Sequence, residues 1–383
     1  MLSLYILNMQ WLQRYYEIAP NVFFKAGKVI ILYGARRVGK TMLMKRLLAS
    51  RTGRIFSATG EDMELASILT SRKIETYRLF FGPYDIIFID EAQYIDNVGE
   101  CLKMLVDLFQ DKYFIITGSS AFNISQSASE PLTGRSIVKA LFPIGLVELL
   151  LQFEPFDIYK NFESYLLYGM YPEIFSLPSV QEKIEYLINL RNGYLFKDIF
   201  ALEQVKNSQK LQDIARLLAL QIGNEVSLNE IATKVGLSKN TVERYIDLLE
   251  KAFVIKKVSA FSRNLRNEIS KSAKYYFWDT GVRNAVINNF NRLDMRSDVG
   301  ALWENFVVME FIKKHEYAGD FAQFYFWRTY DQKELDLVIE KEGTLTGYEI
   351  KWQNPKAKIP ALWLETYSGR AEVVTQDRLL GLL

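Results

Sequence analysis

The chain has 383 residues, 49% of them hydrophobic and 24% charged, an ordinary balance for folded protein and length enough for roughly two to four domains. Its net charge of +2 excludes a bulk polycation, so any nucleic-acid surface must be local. The single cysteine, Cys101, excludes an intrachain disulfide, and the single histidine, His315, excludes a histidine-built zinc site; a metal here should be hard and oxygen-ligated, such as Mg²⁺ or Mn²⁺.

The N-terminal stretch MLSLYILNMQWLQRYYE has neither a basic start nor a long apolar run, so it does not read as a signal peptide. No stretch approaches the length of apolar sequence that a membrane-spanning helix needs. With the cysteine usage, this gives the expectation of a cytoplasmic protein without a membrane partner.

Residues 10–144 read as a nucleotide domain. Val29, Ile30, Ile31 and Leu32 form a buried strand that runs into Gly34-Ala35-Arg36-Arg37-Val38-Gly39-Lys40-Thr41. The spacing is G-x-x-x-x-G-K-[ST], placed between a strand and a helix. Gly34 and Gly39 permit a close approach that a side chain would block. The backbone N–H groups of the loop, Ala35 to Val38 included, would wrap phosphate oxygens at the positive end of the next helix. Lys40 would reach the β- and γ-phosphates of ATP, and the Thr41 hydroxyl would ligate Mg²⁺.

Thr41 to Ser50 reads as a helix with Leu43, Leu47 and Leu48 on one face, Arg54 to Ala58 as a short strand, and Glu61 to Phe81 as mostly helical. Ile86 to Ile89 is a strand buried on both faces, ending in Asp90 and Glu91. Asp90 would hold the Mg²⁺, and Glu91 would polarise the attacking water as general base. A strand between the phosphate loop and the Asp90 strand, with a glutamate directly after Asp90, resembles the hydrolytic branch of phosphate-loop ATPases. Val98 to Gln110 is helical and Lys112 to Thr117 is another buried strand. Thr117 and Ser119, at its end, are candidates to sense the γ-phosphate, although Gly118-Ser119-Ser120 also suits a simple turn. Arg135 is a candidate to neutralise the transferring phosphate, in its own or a neighbouring subunit, so a homo-oligomer is among the expectations.

Residues 145–205 are helix-rich and aromatic and read as a lid or connector. Residues 206–290 read as a winged helix-turn-helix. Ser227 and Glu230 form a helix-start signature, Gly236-Leu237 makes the turn, and Ser238 caps a second helix with Val242, Tyr245, Ile246, Leu248 and Leu249 inward. Lys239, Asn240 and Arg244 would then face DNA. Lys256, Lys257, Arg263, Arg266, Lys271 and Lys274 outweigh Glu268 nearby, which suits a wing on phosphates. Glu243, Asp247 and Glu250 oppose that reading, and a helix-turn-helix that only docks internally stays open.

Residues 291–383 read as a helix followed by strands. Glu304 lies among the inward apolar residues of the Gly300–Lys313 helix and therefore needs a partner. Leu335 to Glu340 and Leu345 to Trp352 form a hairpin. On it, Glu349 and Lys351 share a face and Asp336 can oppose them. Asp336 and Glu349 would hold Mg²⁺, Lys351 would stabilise the attacking hydroxide, and Glu304 would be an additional ligand, as in metal-assisted phosphodiester hydrolysis. An inert site with a satisfied ion cluster is the alternative.

The segments GARRVGKT, FIDEAQ, TGSSA and LTGR with a following FPIGLVEL, then YGMYPEIF, YLFKDIF, YFWDTGVRNAV, GALWENFVVMEF and YEIKW, resemble a prokaryotic AAA+-type ATPase family. Its members carry a C-terminal domain of unknown function related to restriction-endonuclease-like folds. The resemblance implies an α/β phosphate-loop NTPase with a parallel sheet, then a helical lid, a winged helix and an α/β restriction-endonuclease-like domain. Gln93 fits the family pattern but receives no role from it. Two functions follow as expectations: an ATPase coupled to DNA binding or cutting, or an ATP-gated regulatory switch that cuts nothing.

Overall fold

The computed structural model describes residues 12–118, 132–195, 208–262, 273–329, 332–353, 356–367 and 370–383. Two units divide the chain: one spans Arg14–Phe142, and the other holds Pro143–Leu383.

In the first unit, β1 (Val29–Tyr33), α1 (Lys40–Ala49), β2 (Ile55–Thr59), α2 (Met63–Thr70), α3 (Ile74–Phe81), β3 (Ile86–Asp90), α4 (Val98–Leu108), β4 (Tyr113–Gly118) and β5 (Ser136–Ala140) follow in order. The strands make one parallel sheet in the order β2-β3-β4-β1-β5. β4 therefore lies between the strand feeding the phosphate loop and the strand ending in Asp90. Continuous apolar runs in β1, β3 and β4 are what a sheet covered on both faces requires. Leu65, Leu69, Tyr77 and Phe81 from α2 and α3, with Leu102, Leu105 and Val106 from α4, pack on Ile87, Ile89, Phe114 and Ile116. The parallel register sets Leu32 beside Thr117 and Thr59 beside Asp90, so polar strand ends gather at one edge.

Two details go beyond the sequence reading. The Glu61–Phe81 stretch is two helices, split at Arg72, whose φ is +49°. β5 is an additional strand; it lies at the sheet edge with Val138 exposed and with Ile137 and Lys139 half-buried, so it lacks the apolar run that marks its neighbours.

In the second unit, α5 (Leu146–Leu149), α6 (Pro155–Tyr159), α7 (Phe162–Tyr168), α8 (Val180–Leu190) and α9 (Ser208–Leu220) precede β6 (Glu225–Val226). Then come α10 (Leu228–Val235), α11 (Lys239–Lys251), β7 (Ile255–Ala260), β8 (Ala273–Phe277), α12 (Thr280–Ile287) and α13 (Val299–Ala318). β9 (Gln323–Arg328), β10 (Glu334–Lys341), β11 (Thr344–Ile350), α14 (Ala361–Tyr367), β12 (Arg370–Val374) and α15 (Gln376–Leu382) complete it. The strands form one mixed sheet, β12-β11-β10-β9-β7-β8-β6, so those before and after residue 290 share a single hydrogen-bonded surface.

Ser227 accepts from the Glu230 N–H and Ser238 from the Thr241 N–H, so the two helix starts are capped where the sequence places them. Val242, Tyr245, Ile246, Leu248 and Leu249 are buried, and Lys239, Asn240 and Arg244 are exposed beside Glu243 and Asp247. The Asp279-Thr280-Gly281-Val282-Arg283-Asn284 run closes the C-terminal end of α7. Thr280 Oγ1 donates to the Tyr165 carbonyl at 2.8 Å, and Asn284 Nδ2 donates to the carbonyls of Leu166 and Leu167 at 2.9 and 3.0 Å. The Tyr165 carbonyl also accepts from the Gly169 N–H at 2.9 Å, whereas those of Leu166 and Leu167 lie in the last turn, where a helix leaves its carbonyls without intrahelical partners. Asp279 Oδ2 also accepts from the Met170 N–H at 2.7 Å, which joins the family-like segments YGMYPEIF and YFWDTGVRNAV directly.

Candidate functional site

The phosphate loop is closed on itself. Lys40 is buried, and its ammonium donates to the carbonyls of Gly34 and Ala35, each at 2.9 Å. A Cβ on Gly34 would sit 2.0 Å from the Leu141 carbonyl oxygen, so only glycine lets the chain beside β1 approach the loop there. Thr41 Oγ1 donates to Asp90 Oδ2 at 2.8 Å. Thr117 is fully buried and donates to the other oxygen of the same carboxylate. The Glu91 N–H donates back to Thr117 Oγ1 at 3.0 Å. Thr41, Asp90, Glu91 and Thr117 are therefore one connected cluster beside Lys40, Ala35 and Gly34. A hydroxyl and a carboxylate held together suit a small hard cation such as Mg²⁺. Among the described residues there is no group of three or more His, Cys, Asp or Glu arranged to hold a metal ion.

Arg135 is not brought to this cluster. It pairs with Asp107 at 2.7 Å, and its carbonyl accepts from the Val29 N–H, at the start of β1. The loop leaves the far end of that strand, roughly 15 Å away at the usual rise per residue. The expected contact with a phosphate in the same chain is thus corrected by the strand direction. Ser119 lies outside the described residues, as do Arg263, Arg266 and Lys271.

A second cluster sits on the mixed sheet. Asp336 is buried where the β9–β10 register shifts between Leu335 and Val338, and such an irregularity re-aims side chains. Asp336 Oδ2 accepts from the Ile350 N–H at 2.7 Å. Lys351 Nζ lies 3.4 Å from that oxygen and 2.7 Å from Glu349 Oε1. Burial, then Asp336, holds the Glu349 carboxyl above its ordinary range against the pull of Lys351. Burial disfavours the Lys351 charge, but Asp336 and Glu349 outweigh it and keep the ammonium more basic than usual.

Glu304 departs from its expected place as a metal ligand. Its Oε1 accepts from Tyr276 Oη at 2.7 Å and pairs with Lys274 Nζ at 3.1 Å. Burial pushes its carboxyl up to about 7, with Lys274 opposing and Asp336 adding to the rise. Lys274 departs as well. It is 1% exposed and bridges Glu304 and Glu334, so it is no part of a basic outer surface. β8 is buried along its whole length, which turns this lysine inward. Burial opposes its charge, yet Glu304, Glu334 and Asp336 together hold its pKa above the normal range.

The residues without an assigned role that join these sites are Gln93, Tyr94, Tyr276 and Glu334. Gln93 Nε2 donates to Glu91 Oε2, and Arg36 Nη2 donates to Tyr94 Oη at 3.0 Å. The FIDEAQY run puts Gln93 and Tyr94 close after Glu91 in sequence, which with the family pattern at Gln93 is their signal. Glu334 has no motif around it.

A parallel sheet ordered β2-β3-β4-β1-β5, with the lysine loop after β1 and the acidic pair after β3, is the architecture of an AAA-type phosphate-loop ATPase domain. Residues 26–150 match the family model described as AAA domain. Residues 159–293 match Domain of unknown function (DUF8612), and residues 299–375 match Domain of unknown function (DUF4143). An uncharacterized protein of Mycobacterium tuberculosis is 28% identical over 329 residues, covering 84% of this chain and 70% of that one. An uncharacterized protein of Methanocaldococcus jannaschii is 24% identical over 371 residues, covering 90% and 79%. The solved Walker-type ATPase of Pyrococcus abyssi shares the fold at a TM-score of 0.50, with 15% identity over 73% of this chain and 99% of that one. No helix among the described residues is long and apolar enough to cross a membrane.

Proposed function

We propose that the chain binds and hydrolyses ATP with Mg²⁺ and couples that cycle to DNA binding or processing by its second unit. The observation that carries the ATPase half is the Thr41–Asp90 contact at 2.8 Å, directly beside the buried Lys40. Backbone N–H groups from Ala35 to Val38 bind phosphate oxygens, and Lys40 turns from the loop carbonyls to the β- and γ-phosphates. Thr41 and Asp90 hold Mg²⁺, which when bound neutralises phosphate charge. Glu91 accepts the proton of the attacking water, and Thr117 keeps Asp90 and the Glu91 backbone in register.

The main support for the DNA half is the convergence of Asp336, Glu349 and Lys351. Lys239, Asn240 and Arg244 add an exposed helix face toward phosphates or base edges, with Glu243 and Asp247 beside them limiting its positive charge. Asp336 and Glu349 share the single ammonium of Lys351, a local acidic excess that favours uptake of a cation and phosphodiester hydrolysis. The second reading, a switch that cuts nothing, is favoured by the commitment of Glu304 to Tyr276 and Lys274.

ATPase and nuclease assays run side by side, with and without DNA, in Mg²⁺ and Mn²⁺, separate the readings. Lys40→Ala is expected to abolish nucleotide binding, and Glu91→Gln to bind ATP without turnover. Cleavage of plasmid DNA that disappears in Asp336→Ala and Lys351→Ala supports the nuclease. Intact ATPase with no cleavage of any nucleic acid supports the switch, and wild-type hydrolysis by Glu91→Gln removes the base assignment.

A further inference from the structure

We infer that Gln93 is the positioning residue for the Glu91 carboxylate. This rests on the ATPase reading and names the group that makes Glu91 an oriented base.

The Glu91 backbone is held on both sides. Its N–H donates to Thr117 Oγ1 at 3.0 Å, and its carbonyl accepts from the Tyr94 N–H at 3.2 Å. Its φ of +49° is left-handed, a conformation that such fixed surroundings must impose on a residue with a side chain. What remains free is rotation of the glutamate side chain itself, which costs entropy to fix. Gln93 removes that freedom. Its Nε2 donates to Glu91 Oε2, a hydrogen bond strengthened by the carboxylate charge. One carboxylate oxygen is thereby anchored, and the orientation of the whole carboxylate with it.

The turn Ala92–Tyr94 that carries Gln93 is tied in turn to the phosphate loop through Arg36 Nη2 and Tyr94 Oη, at 3.0 Å. The base and the loop are thus connected by one short segment. A glutamine suits the task because it donates a hydrogen bond without adding charge. A glutamate of the same shape would set a second negative charge against the base and favour the base's protonated form.

The test compares wild type, Gln93→Met and Gln93→Glu, with Gln93→Asn as a variant that keeps the amide but withdraws it by one methylene. Affinity for a fluorescent ATP analogue reports the loop, and steady-state ATPase between pH 5.5 and 9 reports the base. Gln93→Met and Gln93→Asn are expected to bind the analogue within about twofold of wild type, with kcat lowered about 10- to 100-fold, the scale of a misplaced catalytic group. Gln93→Glu, which keeps the side-chain length but sets a carboxylate where the donor was, is expected to bind the analogue within about twofold and to lose kcat at least as far as Gln93→Met. Wild-type kcat in Gln93→Met or in Gln93→Glu overturns the assignment while leaving the ATPase reading intact. A wild-type chain that binds the analogue but never hydrolyses ATP overturns the ATPase reading, and this assignment with it.

Discussion

Lys351 Nζ lies 2.7 Å from Glu349 Oε1, and the same ammonium reaches Asp336 Oδ2 at 3.4 Å. It neutralises charge that the sheet has taken out of water. Lys351→Met leaves the two acids facing each other without compensation. Lys351 is 38% exposed, so solvent softens the loss, and a destabilisation of about 1 kcal/mol at neutral pH is expected. Repulsion needs both acids ionised. The loss should therefore be larger at pH 8 than at pH 5, as read by urea unfolding; equal losses at the two values would remove Lys351 as the compensating charge.

Thr41→Val tests the other site. The substitution keeps the shape of the threonine but deletes the hydroxyl that donates to Asp90 at 2.8 Å. ATP affinity measured with Mg²⁺ should fall at least about tenfold, whereas affinity measured in a chelator should hardly change. A fall of the same size in both conditions would mean that the hydroxyl shapes the loop and does not serve a metal.

The legibility of these two sites in the sequence is unequal, for physical reasons. The phosphate loop and the Asp90 strand are local: strand, glycines, lysine and hydroxyl follow one another, and each residue type is fixed by its backbone task. Apolar runs likewise mark β1, β3 and β4, but β5 has an edge strand's mixed exposure and carries no such mark. Arg135 goes astray because its usefulness depends on which end of a strand it occupies, and spacing does not report direction. Lys274 goes astray because a basic stretch reads as surface, whereas pairing with Glu304 and Glu334 comes from elements distant in sequence. The hairpin that joins Asp336 to Glu349 and Lys351 is legible, since strand periodicity and a short turn suffice to align them.

Glu304 predicts a pH dependence. Its folded pKa of about 7 lies above the ordinary value of 4.5, with burial as the first cause. The folded state therefore binds the proton more tightly than the unfolded chain. Its contribution is fully present below about pH 4.5, is lost as pH rises toward 7, and is flat beyond. Relative to Glu304→Gln, the wild type should lose on the order of 1–3 kcal/mol across that window. Unfolding free energies of the two proteins measured from pH 4 to 8 provide the check. A difference that stays constant with pH would assign Glu304 a purely packing role.

Gly169 and Gly319 have the same φ of +72°, but ψ is −167° at Gly169 and 23° at Gly319. An alanine at Gly319 meets ordinary left-handed strain, on the order of 1 kcal/mol, whereas at Gly169 it meets a backbone region that is essentially reserved for glycine, which adds to its cost. At Gly319 the added Cβ would meet nothing within 4 Å. At Gly169 it would stand 2.0 Å from Asp279 Oδ1. Asp279 cannot easily yield, because its carboxylate accepts from the Met170 N–H at 2.7 Å and the Val282 N–H at 2.9 Å. Moving it would strand two buried donors, each costing about 1–3 kcal/mol. Gly169→Ala should therefore lower stability by at least about 2 kcal/mol more than Gly319→Ala, with the difference read directly from paired denaturant unfolding curves. Equal losses would mean that the α7 end can part from Asp279 freely, and that the contact between the YGM and WDTG segments carries no weight in holding this unit together.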